Sequence, residues 1–265
     1  IVIPPSITSL KLSFFEGCTS LKHVVIPSSV TSIDDRAFYN CSLIEKIKIP
    51  SSVTQINEYA FFSCTSLKQI LLPDSLISIG DGAFFRCSSL EVLKIPSSVN
   101  SIGNDCFSNC ENLIHISIPS SLTSLKSRTF NNCSSLMNIS LPSSLKSIGD
   151  YCFFNCSSIT TIDIPSSLNY IGEFCFSNCS NLIQISIPCS VNSINDATFN
   201  ECTKLEKISI PSSVTSFGNS VFNNCSSLAQ INLPPSTTSI GNSIFCGCTS
   251  LTHLSIPSSV TFIGN

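Results

Sequence analysis

A proline recurs every 23 residues along the whole chain, and this period constrains the fold more than any other feature of the sequence. The repeated unit is clear at Leu145–Pro165, which reads LKSIGDYCFFNCSSITTIDIP. A fixed period of this length is typical of repeat proteins, in which each unit packs only against its neighbours. We call each unit a coil and number its residues from the proline at position 0. The prolines are Pro4, Pro27, Pro50, Pro73, Pro96, Pro119, Pro142, Pro165, Pro188, Pro211, Pro234 and Pro257.

Eight positions of the coil are apolar in nearly every copy, and their spacing changes along the coil. Positions 20 and 22 alternate and end at the next proline, which predicts a β-strand. Positions 10, 11 and 14 have the spacing of one helical turn. In the second full coil, the apolar residues at positions 3, 6, 10, 11, 14, 17, 20 and 22 are Val30, Ile33, Ala37, Phe38, Cys41, Ile44, Ile47 and Ile49.

One coil cannot fold alone. Burying a side chain stabilises a fold by about 2 kcal/mol, whereas ordering a residue costs about 1.5 kcal/mol, and each coil has 23 residues to order. The coils must therefore stack, so that each strand pairs in parallel with the same strand of the next coil. We predict one right-handed solenoid over residues 1–265, with about eleven coils and both ends in mid-repeat.

The composition excludes several classes of protein. Hydrophobic residues make up 42% of the chain and charged residues 11%, which is too apolar for a disordered protein. The net charge of −3 argues against a nucleic-acid partner. No apolar run reaches the roughly 18 residues of a membrane helix. No signal peptide is visible, and because the chain opens on IVIP in mid-repeat, we interpret it as a fragment or a processed piece.

The cysteines follow the repeat, with eleven of the sixteen at position 14. A residue type used identically in every coil is a packing residue, so we predict buried free thiols rather than disulfides. Free thiols favour a reducing, cytoplasmic compartment. The alternative is a zinc site built from Cys152, Cys156, Cys175 and Cys179 in adjacent coils. We prefer the packing interpretation, because Cys152 and Cys175 occupy position 10, where three other coils carry alanine, a small core residue. We therefore expect no metal and no cofactor.

No constellation of residues indicates catalysis. The three histidines, His23, His115 and His253, all occupy position 19, but four and six coils separate them. They cannot share a metal or form a triad, so we expect a protein that is not an enzyme and has no small-molecule substrate. Asparagine at position 13, as in Asn155, generates Asn-Cys-Ser sequons. We interpret it as a residue that tolerates a left-handed backbone after the turn.

The segment pattern LxxIxIPxSVxxIxxxAFxxCxx, repeated over the whole chain, resembles the BspA-like leucine-rich repeats. The resemblance implies a curved α/β solenoid with a parallel sheet on its concave side and short helical or 3-10 turns on its convex side. Other leucine-rich repeats carry an asparagine ladder where this chain has serine at position 2, for example Ser29 and Ser52. We expect these serine hydroxyls to bond backbone groups of the turns, coil after coil.

The predicted concave face offers a candidate protein-binding site at positions 18, 19 and 21 of the first four full coils. Lysines there alternate with valine and leucine, and apolar anchors ringed by charges suit protein recognition. The alternative is that the lysines only keep an exposed sheet soluble. The candidate residues are Lys22, His23, Val25, Lys46, Lys48, Lys68, Gln69, Leu71, Val92 and Lys94.

Two functions compete at this point, both of them protein binding. The first is an intracellular adaptor or regulator of a signalling enzyme such as a protein phosphatase. The KLSF sequence at Lys11–Phe14 is similar to a phosphatase-docking motif, although it has leucine at the apolar position. The alternative is a cell-surface BspA-like adhesin that binds host matrix proteins. In either case the exposed coil ends predict some end-to-end self-association.

Overall fold

The computed structural model describes all 265 residues, and most of its coils run through two short strands and a segment of turns. The fold contains no helix, and therefore no helix that could span a membrane. The strands are β1 Ser9–Leu10, β2 Ser32–Ile33, β3 Lys46–Lys48, β4 Gln55–Ile56, β5 Gln69–Leu71, β6 Ser78–Ile79, β7 Val92–Lys94, β8 Ser101–Ile102, β9 His115–Ser117, β10 Ser124–Leu125, β11 Asn138–Ser140, β12 Ser147–Ile148, β13 Tyr170–Ile171, β14 Gln184–Ser186, β15 Ser193–Ile194, β16 Lys207–Ser209, β17 Ser216–Phe217, β18 Gln230–Asn232, β19 Ser239–Ile240, β20 His253–Ser255 and β21 Phe262–Ile263.

The chain forms two compact units, one made of Ile1–Leu122 with Arg128–Ile139 and the other of Thr123–Ser127 with Ser140–Asn265. In the first unit, the two-residue strands form the sheet β1-β2-β4-β6-β8, and the three-residue strands form the sheets β3-β5 and β7-β9-β11. In the second unit, the corresponding sheets are β10-β12-β13 and β15-β17-β19-β21, then β14-β16 and β18-β20. That all eleven coils act as a single domain stays a prediction.

Every strand pair is parallel, and its register equals the sequence period. Ser9 pairs with Ser32 in the two-residue strands, and Lys46 pairs with Gln69 in the three-residue strands. Both pairs are 23 residues apart, so each residue lies beside its equivalent in the next coil. The predicted stacking of parallel strands is therefore confirmed within each unit.

Stacked phenylalanines at position 11 run through the core of both units. In the first unit, the ring centroids of successive pairs from Phe15 to Phe130 lie 5.1–5.6 Å apart. In the second unit, the rings from Phe153 to Phe245 are spaced at 5.5–5.8 Å. Near-parallel rings at these distances lie within the range of favourable aromatic contacts. Like residues therefore contact like residues from coil to coil, as predicted.

The predicted helical turn at positions 10, 11 and 14 is wrong, and the hydrogen bonds show why. In the second full coil, the N–H groups of Ala37 and Tyr39 bond carbonyls three residues earlier in the same coil. The N–H groups of Arg36, Phe38 and Asn40 instead donate to carbonyls of the next coil, at 2.7–2.9 Å. A helix requires consecutive N–H groups to bond within the segment. Here they alternate, so the segment is a series of single turns.

The alternation depends on a left-handed backbone at positions 9 and 13 of every coil. Arg36 and Asn40 have φ angles of 56° and 58°, and their equivalents in the other coils are also positive. Asparagine tolerates this conformation better than most residues do. The interpretation of the position-13 asparagines as left-handed turn residues is confirmed at Asn40, Asn109, Asn132, Asn155, Asn178 and Asn224.

The serine ladder at position 2 is also confirmed. The hydroxyl of Ser75 donates to the carbonyl of Val53 at 2.8 Å, and that of Ser98 donates to Leu76 at 2.6 Å. Each hydroxyl thus bonds position 3 of the preceding coil. Position 3 precedes the two-residue strand, so the serine hydroxyl gives this carbonyl a partner that the strand ladder does not supply.

A second polar ladder, at position 8, was not predicted. One carboxylate oxygen of Asp196 accepts the backbone N–H of Asn219 at 2.7 Å, and its other oxygen accepts the side-chain amide of Asn219 at 3.0 Å. The side chain of Asn219 in turn accepts the N–H of Asn242 at 2.9 Å. The sequence signal was the recurrence of aspartate or asparagine at this position, for example Asp81 and Asp150.

Candidate functional site

The three-residue strands alternate exposed and buried side chains, so they present one face to solvent. In β3, Ile47 is buried while Lys46 and Lys48 are exposed, and β5 and β7 repeat the pattern. We call the outward side chains at positions 18, 19 and 21 the strand face. All ten predicted site residues are exposed there: Lys22, His23, Val25, Lys46, Lys48, Lys68, Gln69, Leu71, Val92 and Lys94. Their role in binding stays a prediction.

Apolar residues on this face are unusually accessible. Val25 and Val92 are each 57% exposed, and Leu71 is 51% exposed. Lys48 pairs directly with Leu71 in the ladder between β3 and β5. Large apolar side chains thus stand in solvent beside lysines on a backbone fixed by the sheet. In the second unit, position 21 is polar instead, at Ser186, Ser209, Asn232 and Ser255.

The charge of this part of the strand face opposes that of the whole chain. Five lysines and two glutamates occupy positions 18, 19 and 21 of the first four full coils, a local excess of positive charge in a chain of net charge −3. Among the charged residues of this part of the strand face, one salt bridge forms, between Lys68 and Glu45 at 3.8 Å. Lys46, Lys48 and Lys94 therefore have no ion-pair partner within the protein.

A groove of about 780 Å³ crosses three coils at the proline end of these strands. Val25, Lys48 and Leu71 line it from successive coils, and Pro50 and Pro73 lie at its side. The groove lies where the ladder of three-residue strands is interrupted, since β3 pairs with β5 but not with Val24–Ile26. A smaller polar pocket of about 350 Å³ lies in the second unit, at Thr161–Ile164 and β14.

The cysteines form the buried ladder that the sequence predicted. All sixteen are free, and the thiol of Cys110 donates to the carbonyl of Phe84 at 3.2 Å. Burial raises the pKa of Cys110 and of Cys179 to about 12. A thiol with so high a pKa carries almost no reactive thiolate at neutral pH.

No group of three or more His, Cys, Asp or Glu side chains could hold a metal ion, so the alternative zinc site at Cys152, Cys156, Cys175 and Cys179 has no support. The three histidines are exposed at separate coils of the strand face.

The KLSF sequence lies within the turns of the first coil rather than in an extended segment. The N–H of Ser13 donates to the carbonyl of Asp35 at 3.0 Å, and the N–H of Phe14 donates to that of Lys11 at 3.1 Å. Leu12 and Phe14 are 66% and 46% exposed. An extended docking motif would have to break these bonds.

The model of the BspA type leucine-rich repeat region matches residues 1–114, 100–229 and 148–265, in six copies. These ranges span the whole chain. The chain is a BspA-type leucine-rich-repeat protein. The resemblance inferred from the repeat pattern is thereby confirmed, and so is the parallel-strand solenoid. Repeats of this type typically serve as non-enzymatic scaffolds for binding other proteins.

Solved structures of bacterial leucine-rich-repeat proteins are similar to this BspA-type chain. A leucine-rich repeat protein from Bacteroides ovatus is 33% identical, with a TM-score of 0.73 over 100% of this chain and 82% of its own. A leucine rich cell surface protein from Faecalibacterium prausnitzii is 25% identical, with a TM-score of 0.59 over 99% of this chain and 78% of its own. The leucine-rich repeat protein of T. pallidum is 27% identical, with a TM-score of 0.51 over 69% of this chain and 78% of its own. No curated protein matches.

Proposed function

We propose that this BspA-type chain is a protein-binding module of the cell surface, with the strand face of its first four full coils as the binding surface. The observation that carries the proposal is the combination of exposed Val25, Leu71 and Val92 with lysines that lack ion-pair partners. Exposed apolar anchors supply affinity when they are covered, and surrounding charges guide the partner to them. The partner class we favour is a host matrix protein, as for an adhesin.

The cell surface replaces the cytoplasmic location that the free thiols favoured. One similar protein is itself a cell surface protein. The thiols no longer argue for a reducing compartment, because most of them are buried and burial raises their pKa. A buried, protonated thiol is shielded from oxidation in any compartment. The adaptor of a phosphatase loses its motif as well, since KLSF is held in turns.

Binding to a panel of immobilised matrix proteins tests this function. We expect the wild-type chain to bind at least one member and the triple variant Lys46→Glu, Lys48→Glu, Lys94→Glu to lose most of that binding. The matched control reverses three exposed lysines outside the strand face, Lys11, Lys146 and Lys204. It changes the net charge equally and should bind as the wild type does. Equal loss in both variants would show that only bulk charge matters.

Intact-cell labelling tests the location separately. A membrane-impermeant reagent should label the native protein without permeabilisation. Labelling only after permeabilisation would contradict the surface assignment and return the protein to the adaptor class.

A further inference from the structure

The groove beside Val25 and Leu71 has the features of a pocket for one side chain of a partner protein, rather than those of a flat contact surface. Val25, Lys48 and Leu71 occupy position 21 of three successive coils. Leu71 pairs with Lys48 in the ladder between β3 and β5, whereas the coil of Val25 does not pair with β3, so the two apolar side chains lie on either side of Lys48. The groove volume of about 780 Å³ is large enough to hold a leucine or phenylalanine side chain.

Lys48 lies at the base of the groove and provides both an apolar stem and a charged group there. Its side chain is exposed between Val25 and Leu71, and its methylene stem can line the groove while its ammonium group stays in water. Lys46 and Lys94 are exposed on the same strand face. Asp74 is the single acidic residue that lines the groove. Positive charge therefore dominates the face that a bound segment would cross, and Lys46, Lys48 and Lys94 form no salt bridge there.

We infer that this groove binds an extended acidic segment of a partner protein, with one apolar side chain of that segment inserted between Val25 and Leu71. The inference rests on the proposed function and specifies its partner. The acidic groups of the segment lie over Lys46, Lys48 and Lys94, and the apolar side chain displaces water from the groove. Charge complementarity selects the segment, and the groove selects its register.

A nucleic acid fits this surface less well. Single strands bind by stacking their bases on aromatic side chains, and neither aromatic residues nor arginines line this groove. The chain as a whole is also negatively charged. A polyanion therefore serves as one arm of the test.

The probe is a fluorescein-labelled peptide of about nine residues, long enough to cross four coils in extended form. It has leucine at its centre and aspartate or glutamate on both sides. One control peptide has alanine at the centre, and another has lysine in place of every acid. Anisotropy titrations with the full chain should show the leucine peptide binding about tenfold more tightly than the alanine peptide. The lysine peptide should bind more than tenfold more weakly.

The double variant Val25→Ser, Leu71→Ser should abolish the preference for leucine over alanine. Ile77→Ser is the matched control, because Ile77 is also exposed but lies outside the strand face and does not line the groove. It should keep the preference. Because all three side chains are exposed, none of these substitutions should change the thermal midpoint.

Two results would overturn the inference. Equal affinity for the leucine and alanine peptides would reduce the surface to an unspecific cation exchanger. Competition by heparin or single-stranded DNA as strong as that by the leucine peptide would assign the surface to polyanions. If matrix binding survives Val25→Ser, Leu71→Ser but not the triple lysine variant, the groove inference fails while the proposed function stands.

Discussion

The rings of Phe107 and Phe130 stack in adjacent coils, with their centroids 5.6 Å apart and their planes inclined by 10°. Both side chains are completely buried. Each ring fills the space between its two neighbours in the column, so its removal leaves a cavity that the regular backbone on either side cannot close. The phenylalanine column therefore contributes to the packing of each coil against the next.

Replacing Phe107 by alanine should destabilise the fold by about 3–5 kcal/mol, the usual cost of removing a buried aromatic side chain. Urea unfolding followed by circular dichroism measures the change. Phe262→Ala is the control, because Phe262 is 59% exposed, and it should cost much less. Similar losses at both positions would contradict the role of the stack.

Thr237 is a position where the repeat is locally suboptimal. Its hydroxyl is buried without a hydrogen-bond partner, at position 3, where the other coils carry valine, leucine or isoleucine. Thr237→Val should therefore stabilise the protein by about 1–2 kcal/mol, because it removes an unsatisfied polar group without changing the shape of the side chain. Thermal unfolding should show a raised midpoint.

Thr198→Val is the informative comparison. The Thr198 hydroxyl is also buried, but it donates to the carbonyl of Asn195 at 2.7 Å. This substitution should lower the midpoint or leave it unchanged. If both valine variants were stabilising, hydrophobicity alone would explain the gain at Thr237.

The cysteine ladder makes stability depend on pH in the alkaline range. Burial raises the pKa of Cys110 and Cys179 from 9.0 to about 12. Between these values the unfolded chain loses the protons and the folded chain keeps them, so rising pH favours unfolding. The free energy of unfolding should be steady up to pH 9 and fall as the pH rises toward 12.

Urea midpoints at pH 8, 9 and 10 measure this slope. Cys110→Ala removes one of the titrating thiols, so its midpoint should fall less steeply than that of the wild type. Because lysine and tyrosine also titrate at high pH, the difference between the two proteins is the relevant quantity. Identical slopes would show that this thiol does not contribute.

The position-8 ladder predicts different effects for two substitutions of one residue. Asp196→Ala removes the acceptors of two hydrogen bonds from Asn219 and should cost about 1–2 kcal/mol. Asp196→Asn should cost clearly less, because Asn219 already performs the same role toward Asn242. Hydrogen exchange of the Asn219 amide reports the bond directly, and it should accelerate only in the alanine variant.

The sequence predicted those features of the fold in which identical residues meet. Phenylalanine, serine and cysteine each recur at one position of the coil, as at Phe107, Ser75 and Cys110. The 23-residue period therefore identifies their neighbours in the next coil. The turn segment was misread because positions 10, 11 and 14 have helical spacing, while their alternate N–H groups bond the next coil. A partner 22 residues away leaves no local pattern in the sequence.

The candidate site was predictable only in part, for a similar reason. Strand alternation identified Lys46, Lys48 and Leu71 as exposed, and all three are. The groove lies beside the interrupted ladder at Val24–Ile26, and no residue pattern in the sequence marks that interruption. Free thiols favoured a reducing compartment at the level of the sequence, but most of them are buried with raised pKa values, so they do not discriminate between compartments.

The directions of the hydrogen bonds between coils have an electrostatic consequence. In the turns, the N–H groups of Arg36, Phe38 and Asn40 point toward the following coil, whereas those of Thr31 and Asp34 point toward the preceding one. Opposed rows of peptide dipoles largely cancel, unlike those of an α-helix, whose dipoles add along its axis. Coils can therefore be gained or lost in evolution without a build-up of charge at the termini of the stack.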